Sequence, residues 1–153
     1  RFTSEKKGTK NIVYLWARKE FQNISKCYDC GISVVKPRHV SKNILIMDFE
    51  GTDGKPEQTL LESEIDENDY RQSISLITDL YKKAKLVHGD FSEYNIFKTK
   101  NGLKIFDLGS AVDTIHPNTI EFLKRDINNI TNFFVKRGLT VENPADILER
   151  IIK

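Results

Sequence analysis

The feature that most constrains this chain is a strand, a polar loop and two further strands within residues 86–109. Short apolar runs separated by polar residues predict strands at residues 86–88, 95–98 and 103–106. An Asn-Gly pair between the last two runs is a strong signal for the tight turn of a β-hairpin. Because that turn folds one strand back beside the other, we expect Asp90, Asn95 and Asp107 to converge at one end of a small hairpin.

These three side chains have the chemistry of a magnesium site that also holds nucleotide phosphates. Carboxylate and amide oxygens are hard ligands that suit Mg²⁺, and a second carboxylate nearby can orient the hydroxyl or water that attacks phosphorus. The order His-x-Asp-x-x-x-x-Asn followed by Asp-x-Gly is the pattern of a kinase catalytic loop and metal-binding loop. Asp and Asn also occupy ordinary hairpin turns, but two motifs in order and in matching strand context favour phosphoryl transfer.

Hydrophobic periodicity predicts helices on both sides of this hairpin. The predicted helices span residues 10–29 and 69–85, with a third after Pro117 and a short final helix that opens at Asn143 and Pro144. The first helix is expected to place Ile12, Leu15, Trp16, Ile24 and Tyr28 on its apolar face. Further strands are predicted at residues 32–35 and 43–49, and the second is apolar enough for a strand covered on both faces.

Length and composition favour one globular domain with a single core. The chain has 153 residues, of which 39% are hydrophobic and 30% charged, which excludes a disordered, collagen-like or disulfide-framework protein. The apolar runs are too short to cross a bilayer, and residues 1–20 are too charged for a signal peptide. We therefore expect a cytoplasmic protein with no membrane partner. Cys27 and Cys30 could form half a zinc site or a redox pair, but their position at a helix end favours packing.

Charge is unevenly distributed although the net charge is only +2. Residues 1–42 contain ten Lys or Arg against three Asp or Glu, whereas residues 50–69 contain eight acidic residues and one lysine. A basic leading segment could meet nucleic acid or phosphate. The simpler interpretation, two ordinary charged surfaces, is favoured on charge alone.

The region after Asp107 decides which kind of kinase is involved. Only 46 residues follow it, so the activation segment, Ala-Pro-Glu motif and additional helices of a conventional protein kinase cannot fit there. The chain at this point resembles the RIO family of atypical kinases, and most closely its first subfamily. The resemblance is carried by residues 15–21, 43–51, 86–95, 107–112, 116–117, 124–126 and 133–134. It implies an α+β, protein-kinase-like fold with a partial N-lobe and a reduced, mainly helical C-lobe.

The resemblance also implies domain boundaries and an activity. Residues 1–50 would be the remainder of the N-lobe, residues 51–68 an acidic loop between lobes, and residues 69–153 the C-lobe. The implied activity is an ATP-dependent serine/threonine kinase or ATPase that acts in maturation of the small ribosomal subunit. Its partners would be ATP and a pre-small-ribosomal-subunit particle of rRNA and proteins, and its metal Mg²⁺ or Mn²⁺. The oligomeric state is not predicted.

The resemblance carries roles over to individual residues. Asp90 would be the catalytic aspartate, Asn95 and Asp107 the metal ligands, and Asp107 also an acceptor of phosphate. Glu20 would be the helix carboxylate that normally pairs with an ATP-contacting lysine. The adenine pocket would be formed by Met47, the hinge backbone at Asp48 and Glu50, and apolar walls from Phe97 and Phe106.

One departure from the family and two alternatives bear on this prediction. The glycine-rich phosphate loop and its associated lysine have no equivalent here, since residues 1–11 offer a single glycine, so we expect the sequence to be a fragment. A small-molecule phosphotransferase of the aminoglycoside or choline kinase type also uses His-Gly-Asp with a downstream Asn and Asp. That class usually has His where this chain has Ser92. A nucleotide-binding pseudo-enzyme scaffold is the non-catalytic alternative.

Overall fold

A computed structural model describes the backbone of residues 2–153 and the side chains from Asn11 onward. The four helices are α1 (Phe2–Asp29), α2 (Glu67–Lys82), α3 (Thr119–Lys136) and α4 (Pro144–Ile152). The strands are β1 (Pro37–Ser41), β2 (Ile44–Met47), β3 (Gly51–Thr52), β4 (Lys55–Pro56), β5 (Leu86–Val87), β6 (Ile96–Thr99), β7 (Gly102–Ile105) and β8 (Val112–Asp113). They pair as four antiparallel two-stranded sheets, β1 with β2, β3 with β4, β5 with β8, and β6 with β7. None of the helices in the described part of the chain is long and apolar enough to span a bilayer.

The core lies where α2, α3 and α4 pack around the β5–β8 strand pair and the β6–β7 hairpin. Its fully buried side chains include Leu80 of α2, Phe91 of the loop after β5, and Leu123, Ile127, Ile130 and Phe134 of α3. Burial of each such side chain contributes roughly 1.5–3 kcal/mol of transfer free energy. This core provides the rigid support on which the polar loops between the strands are held.

Two residues in the middle of α1, Leu15 and Trp16, do not join this core, which contradicts our prediction for the apolar face of the helix. Ile24 and Cys27 are fully buried, but Leu15 and Trp16 remain 62% and 67% exposed. The helical periodicity was predicted correctly, since α1 includes residues 10–29. Of the side chains described in α1, Ile24 and Cys27 near its end belong to the core.

The first hairpin differs from prediction in two ways. β2 was expected to be covered on both faces, but it pairs only with β1, and Ile44 and Ile46 are about half exposed or more. Residues 32–35 do not form a strand; a single parallel bridge joins Val34 to Ile105. β1 was not predicted, because its Pro-Arg-His-Val-Ser sequence lacks an apolar alternation.

The acidic stretch between the two halves is more structured than the predicted loop. It contains the β3–β4 hairpin and then runs into an N-terminal capping box on α2, where Asp66 and Asp69 exchange side-chain-to-backbone hydrogen bonds. This cap starts α2 two residues before the predicted position. Asp69 also forms a largely buried ion pair with Lys98 of β6 at 2.8 Å, which ties α2 to the second hairpin.

Candidate functional site

The β6–β7 hairpin forms as predicted and brings the polar loops together. Its register pairs Ile96 with Ile105 and Thr99 with Gly102, and the tight turn places Gly102 at φ +105°. Asn95 and Asp107 therefore flank the open end of the hairpin, one just before β6 and the other two residues after β7. The backbone N–H of Phe106 donates to the carbonyl of Asn95 at 3.4 Å, so the two loops remain adjacent beyond the last strand pair.

Asn95 is linked directly to the loop that carries Asp90. Its Nδ2 donates to the Asp90 backbone carbonyl at 2.8 Å and lies 3.4 Å from the Asp90 carboxylate. Because the amide nitrogen faces Asp90, the amide oxygen of Asn95 is left as an acceptor for another group. Asp107 is fixed by the N–H of Gly109, which donates to its Oδ1 at 2.9 Å. The structure thus brings the three predicted chemical residues to one end of the hairpin.

The donor set fits Mg²⁺. It consists of an amide oxygen and carboxylate oxygens, which are the ligands that this hard cation prefers. Among the side chains from Asn11 onward, no three His, Cys, Asp or Glu cluster closely enough to hold a metal by themselves. Mg²⁺ usually takes part of its coordination shell from phosphate oxygens and water.

Glu20 of α1 reaches this site from the other side. Burial raises the pKa of its carboxyl, and the negative charge of Asp107 raises that pKa further. A Cβ atom at Gly109 would lie 3.5 Å from Glu20 Oε2 and 3.3 Å from Asp107 Oδ1, so both carboxylates lie beside Gly109. Two neighbouring carboxylates favour a bound cation. The predicted pairing of Glu20 with a lysine is not tested by the described residues.

His88 joins the catalytic loop to the metal loop. Its Nδ1 accepts a hydrogen bond from the Asp90 N–H at 3.1 Å, and its Nε2 lies 2.6 Å from the Asp107 carbonyl oxygen. A nitrogen that accepts an N–H bond cannot carry a proton, so the ring must be the neutral tautomer with hydrogen on Nε2. Burial lowers the pKa of His88, which favours the same neutral form. His88 therefore acts as a brace rather than a proton carrier.

Asp126 of α3 holds the catalytic loop through hydrogen bonds to its backbone. It is 1% exposed, and its two carboxylate oxygens accept hydrogen bonds from the N–H groups of Gly89 at 2.9 Å and Phe91 at 3.0 Å. The neighbouring Arg125 donates to the Gly89 carbonyl. Sequence reasoning placed Asp126 only within a family motif and gave it no role. The available signal was a carboxylate inside the apolar stripe formed by Leu123, Ile127 and Ile130.

Gly89 is required at the contact between the two loops. Its φ is +85°, in the left-handed region that glycine adopts most readily. A Cβ atom there would lie 2.7 Å from the carbonyl oxygen of Ser110, in the metal loop of residues 107–112. Any side chain at this position would therefore push the two loops apart.

An apolar cleft of about 350 Å³ lies next to these loops. All five residues predicted to surround adenine line it, and they are Met47, Asp48, Glu50, Phe97 and Phe106. The two phenyl rings stack on one another with centroids 4.2 Å apart. Sequence reasoning did not single out Val35, Leu45 and Pro56, which also line the cleft. These residues gave no signal, because single apolar residues in short strands look like ordinary core.

The hinge segment beside this cleft, residues 48–50, has one backbone carbonyl and one backbone N–H without a backbone partner in the described residues. An acceptor and a donor are the groups that the edge of a purine base would bind. The Asp48 N–H donates to the Lys36 carbonyl, and the Glu50 carbonyl accepts from the Glu57 N–H, both at 2.9 Å. The Asp48 carbonyl and the Glu50 N–H have no backbone partner in the part of the chain that the structure describes. One acceptor and one donor two residues apart could meet the amino group and ring nitrogen of adenine.

Comparison with known protein sequences gives a consistent result. Residues 1–147 match the RIO domain family. The chain is 38% identical over 153 residues to the RIO-type serine/threonine-protein kinase Rio1 of Thermoplasma acidophilum, with 100% of this chain and 80% of that protein covered. It is 34% identical over 151 residues to the serine/threonine-protein kinase RIO1 of Caenorhabditis elegans, with 96% of this chain and 30% of that protein covered. The chain thus spans less than a third of the latter relative.

Comparison with solved structures confirms the predicted fold. The Rio2 kinase–ADP/Mg²⁺–phosphoaspartate complex from Chaetomium thermophilum superposes with a TM-score of 0.73 at 25% sequence identity. The match covers 92% of this chain and 45% of that one. The α+β, kinase-like architecture expected from the sequence is therefore correct.

Proposed function

This chain belongs to the RIO domain family, and from that premise we propose that it forms the catalytic part of an ATP-dependent, atypical serine/threonine kinase or ATPase. The observation that carries the proposal is the convergence of Asp90, Asn95 and Asp107 at one end of the β6–β7 hairpin. Beside them lies an apolar cleft with the hinge groups that an adenine would need. Relatives of this chain are named serine/threonine-protein kinases of the RIO type.

In this proposal Asp90 orients the attacking oxygen. Its carboxylate lies on an exposed loop whose backbone is held by Asp126, His88 and Asn95, so the group is accessible but fixed. Asn95 and Asp107 would hold Mg²⁺, which neutralises charge that develops on the phosphate oxygens. The apolar cleft binds the base and excludes water from it.

Asp107 is also proposed as the acceptor of the phosphoryl group. A bond forms between an Asp107 oxygen and the γ-phosphorus as the bond from that phosphorus to the bridging oxygen breaks, and ADP leaves. Water then hydrolyses the acyl phosphate to carboxylate and inorganic phosphate. Support comes from the resemblance and from the C. thermophilum Rio2 kinase, whose structure is of an ADP/Mg²⁺–phosphoaspartate complex.

The experiment that tests this proposal is to map the label after incubation of the full-length protein with γ-labelled ATP. An acid-stable, hydroxylamine-labile label on Asp107 is expected, and borohydride reduction should convert that aspartate to homoserine. Asp113, which follows the metal loop on β8, is the matched residue that should carry no label. Label only on serine or threonine would overturn the ATPase form and leave kinase chemistry. Absence of both label and ATP turnover would overturn the enzyme and favour the pseudo-enzyme scaffold.

We also propose, from the resemblance, that the protein acts in the cytoplasm on a precursor of the small ribosomal subunit. The excess of seven positive charges in residues 1–42 supports an RNA-rich partner. Co-sedimentation of the full-length protein with small-subunit precursors tests this, and binding should weaken steeply as salt is raised. Sedimentation only as free protein at low salt would contradict it. The small-molecule phosphotransferase is disfavoured by the family match over residues 1–147.

A further inference from the structure

A second cleft, which we call the acceptor-side cleft, opens on Asp90 and shares no lining residue with the apolar cleft. Its volume is about 530 Å³, within the range of ligand-binding sites. One wall is the catalytic loop, where Tyr94 is 61% exposed. The other wall is one face of α3, formed by Asn129, Asn132 and Lys136. The Asp90 carboxylate, proposed to orient the attacking oxygen, therefore lies in the same cleft as this face of α3.

Arg137 also lines the groove, and neighbouring groups fix the position of its guanidinium. Its guanidinium donates to the carbonyl of Ser63 at 3.2 Å and to that of Leu61, and it lies over the Phe133 ring at 5.0 Å. Lys136, by contrast, is exposed and forms no ion pair with any side chain described from Asn11 onward. Arg137 is thus a fixed positive charge, and Lys136 is the lining cation whose side chain can move to meet a ligand in the groove.

Charge changes sign along the groove. Asp90 and Glu93 line it at the catalytic end, and Lys136 lines it on α3. Lys136 is ten residues beyond Asp126, which holds the catalytic loop, and ten residues of α-helix extend ~15 Å. An extended polypeptide advances ~3.3 Å per residue. With the freedom of a lysine side chain, Lys136 would meet a residue about three to five positions from a hydroxyl placed at Asp90.

We propose that the acceptor-side cleft binds an extended protein segment whose acceptor serine or threonine lies at Asp90 and whose acidic side chain, three to five residues away, pairs with Lys136. The inference rests on the proposed function and names its substrate class. The acceptor oxygen forms a bond to the γ-phosphorus, the bond to the bridging oxygen of ADP breaks, and the hydroxyl proton passes to the Asp90 carboxylate. Acidic residues next to the acceptor are disfavoured, because Asp90 and Glu93 repel them.

The test is a series of peptides with one serine in a neutral background and a single aspartate moved from five residues before it to five residues after it. The full-length protein should show its highest kcat/KM when the aspartate is three to five residues away on one side, by about threefold to tenfold over the adjacent positions. Lys136→Glu should abolish this preference and transfer it to peptides with lysine at the same position. Lys124→Glu, on the same helix but outside the cleft, is the matched control and should leave the preference unchanged.

Binding is measured separately from turnover. A peptide with alanine in place of serine should bind the full-length protein, and Lys136→Glu should weaken that binding about threefold to tenfold. The inference is overturned by a uniform response to aspartate position, by an equal effect of Lys124→Glu, or by RNA competing for the cleft in place of peptides. If ATP turnover and the Asp107 label persist while no peptide is bound, the inference fails and the proposed function survives. Loss of ATP turnover itself would instead count against the proposed function.

Discussion

The Nε2 atom of His88 lies 2.6 Å from the backbone carbonyl oxygen of Asp107. This contact joins the catalytic loop to the metal loop through a ring that is 2% exposed. The Asp90 N–H donates a hydrogen bond to the other ring nitrogen, Nδ1. Both nitrogens of the imidazole are therefore hydrogen-bonded to backbone groups. The distance between the two loops is therefore set by the width of one imidazole ring.

The neutral Nε2–H tautomer of His88 is the first prediction. In ¹⁵N NMR spectra at pH 7, the Nε2 of this ring should be protonated and the Nδ1 unprotonated, since Nδ1 accepts from a backbone N–H. His39, which is exposed on β1, is the internal comparison, because no hydrogen bond in the described residues fixes one tautomer of its ring. Observation of hydrogen on Nδ1 of His88 would contradict the assigned bridge.

Replacing Asp90 with asparagine in the full-length protein should lower turnover about 10²–10⁴-fold and leave the fold intact. The amide keeps the shape of the side chain but loses the charge that orients the attacking oxygen. Steady-state ATP turnover and circular dichroism measure the two effects. Asp53→Asn, in the β3–β4 turn and outside the site, is the control. Near-normal turnover by Asp90→Asn would remove Asp90 from the catalytic role.

Asp126→Asn should loosen the catalytic loop. In the unsubstituted protein the N–H groups of Gly89 and Phe91 each donate to one carboxylate oxygen of Asp126. Asparagine has only one oxygen, so its NH₂ group would face one of these N–H groups and leave that donor without an acceptor. An unsatisfied buried donor costs about 1–3 kcal/mol. Chemical denaturation should show this loss, and amide exchange at Gly89 and Phe91 should accelerate. Asp146→Asn, exposed in the first turn of α4, should change neither. Unaltered exchange at both amides would mean that Asp126 does not hold the loop.

The two cysteines should differ sharply in reactivity. Burial raises the pKa of the Cys27 thiol to about 12, so at pH 8 about one molecule in 10⁴ carries the reactive thiolate. Cys30 is exposed and should react with a thiol reagent in the folded protein. Mass spectrometry should find one modified cysteine under native conditions and two after denaturation. Equal labelling of both in the folded state would place the end of α1 elsewhere.

Glu142 provides a pH-dependent link between α4 and α2. It forms a two-pronged ion pair with Arg150 and accepts from the Tyr70 hydroxyl at 3.2 Å. Its hydrogen bond with Arg150 lowers the pKa of the Glu142 carboxyl below the ordinary value of 4.5. A carboxyl whose pKa is lower in the folded than in the unfolded protein stabilises the fold at pH values above its unfolded-state pKa. This stabilisation is lost as the pH falls through its folded-state pKa.

Glu142→Gln should therefore lower the free energy of unfolding by up to about 1 kcal/mol at pH 7, because the pair is half exposed. The difference from the unsubstituted protein should hold above about pH 5 and shrink as pH falls below 4.5. Urea unfolding at a series of pH values measures it. Glu149→Gln, whose ion pair with Lys153 is more exposed, is the comparison. If the difference in unfolding free energy between the two proteins grew as the pH was lowered, the pKa of Glu142 would be raised in the folded state, which would contradict the assignment.

The chemical residues of the site could be predicted because they follow local rules. An Asn-Gly turn fixes which strands pair, and pairing fixes which loops meet, so Asn95 and Asp107 were placed together from the sequence. The α4 cap at Asn143 was predictable for the same reason. Each of these depends on residues close in the chain.

What could not be predicted depends on contacts between distant residues. The exposure of Trp16 and Ile44 could not be predicted, because the apolar character of a residue does not show whether another part of the chain packs against it. Asp126 could not be assigned a role, since its partners Gly89 and Phe91 are more than thirty residues away. The acceptor-side cleft likewise depends on Arg137 reaching the carbonyls of Leu61 and Ser63.

The close approach of Gly89 to Ser110 has a consequence for protein engineering. Because the catalytic and metal loops are interlocked there and again at His88 and Asp107, neither loop can be grafted from a relative alone. A chimera that exchanges residues 86–95 should keep its activity only if residues 107–112 come from the same parent. The two loops should therefore be transplanted as a unit, although eleven residues of sequence separate them.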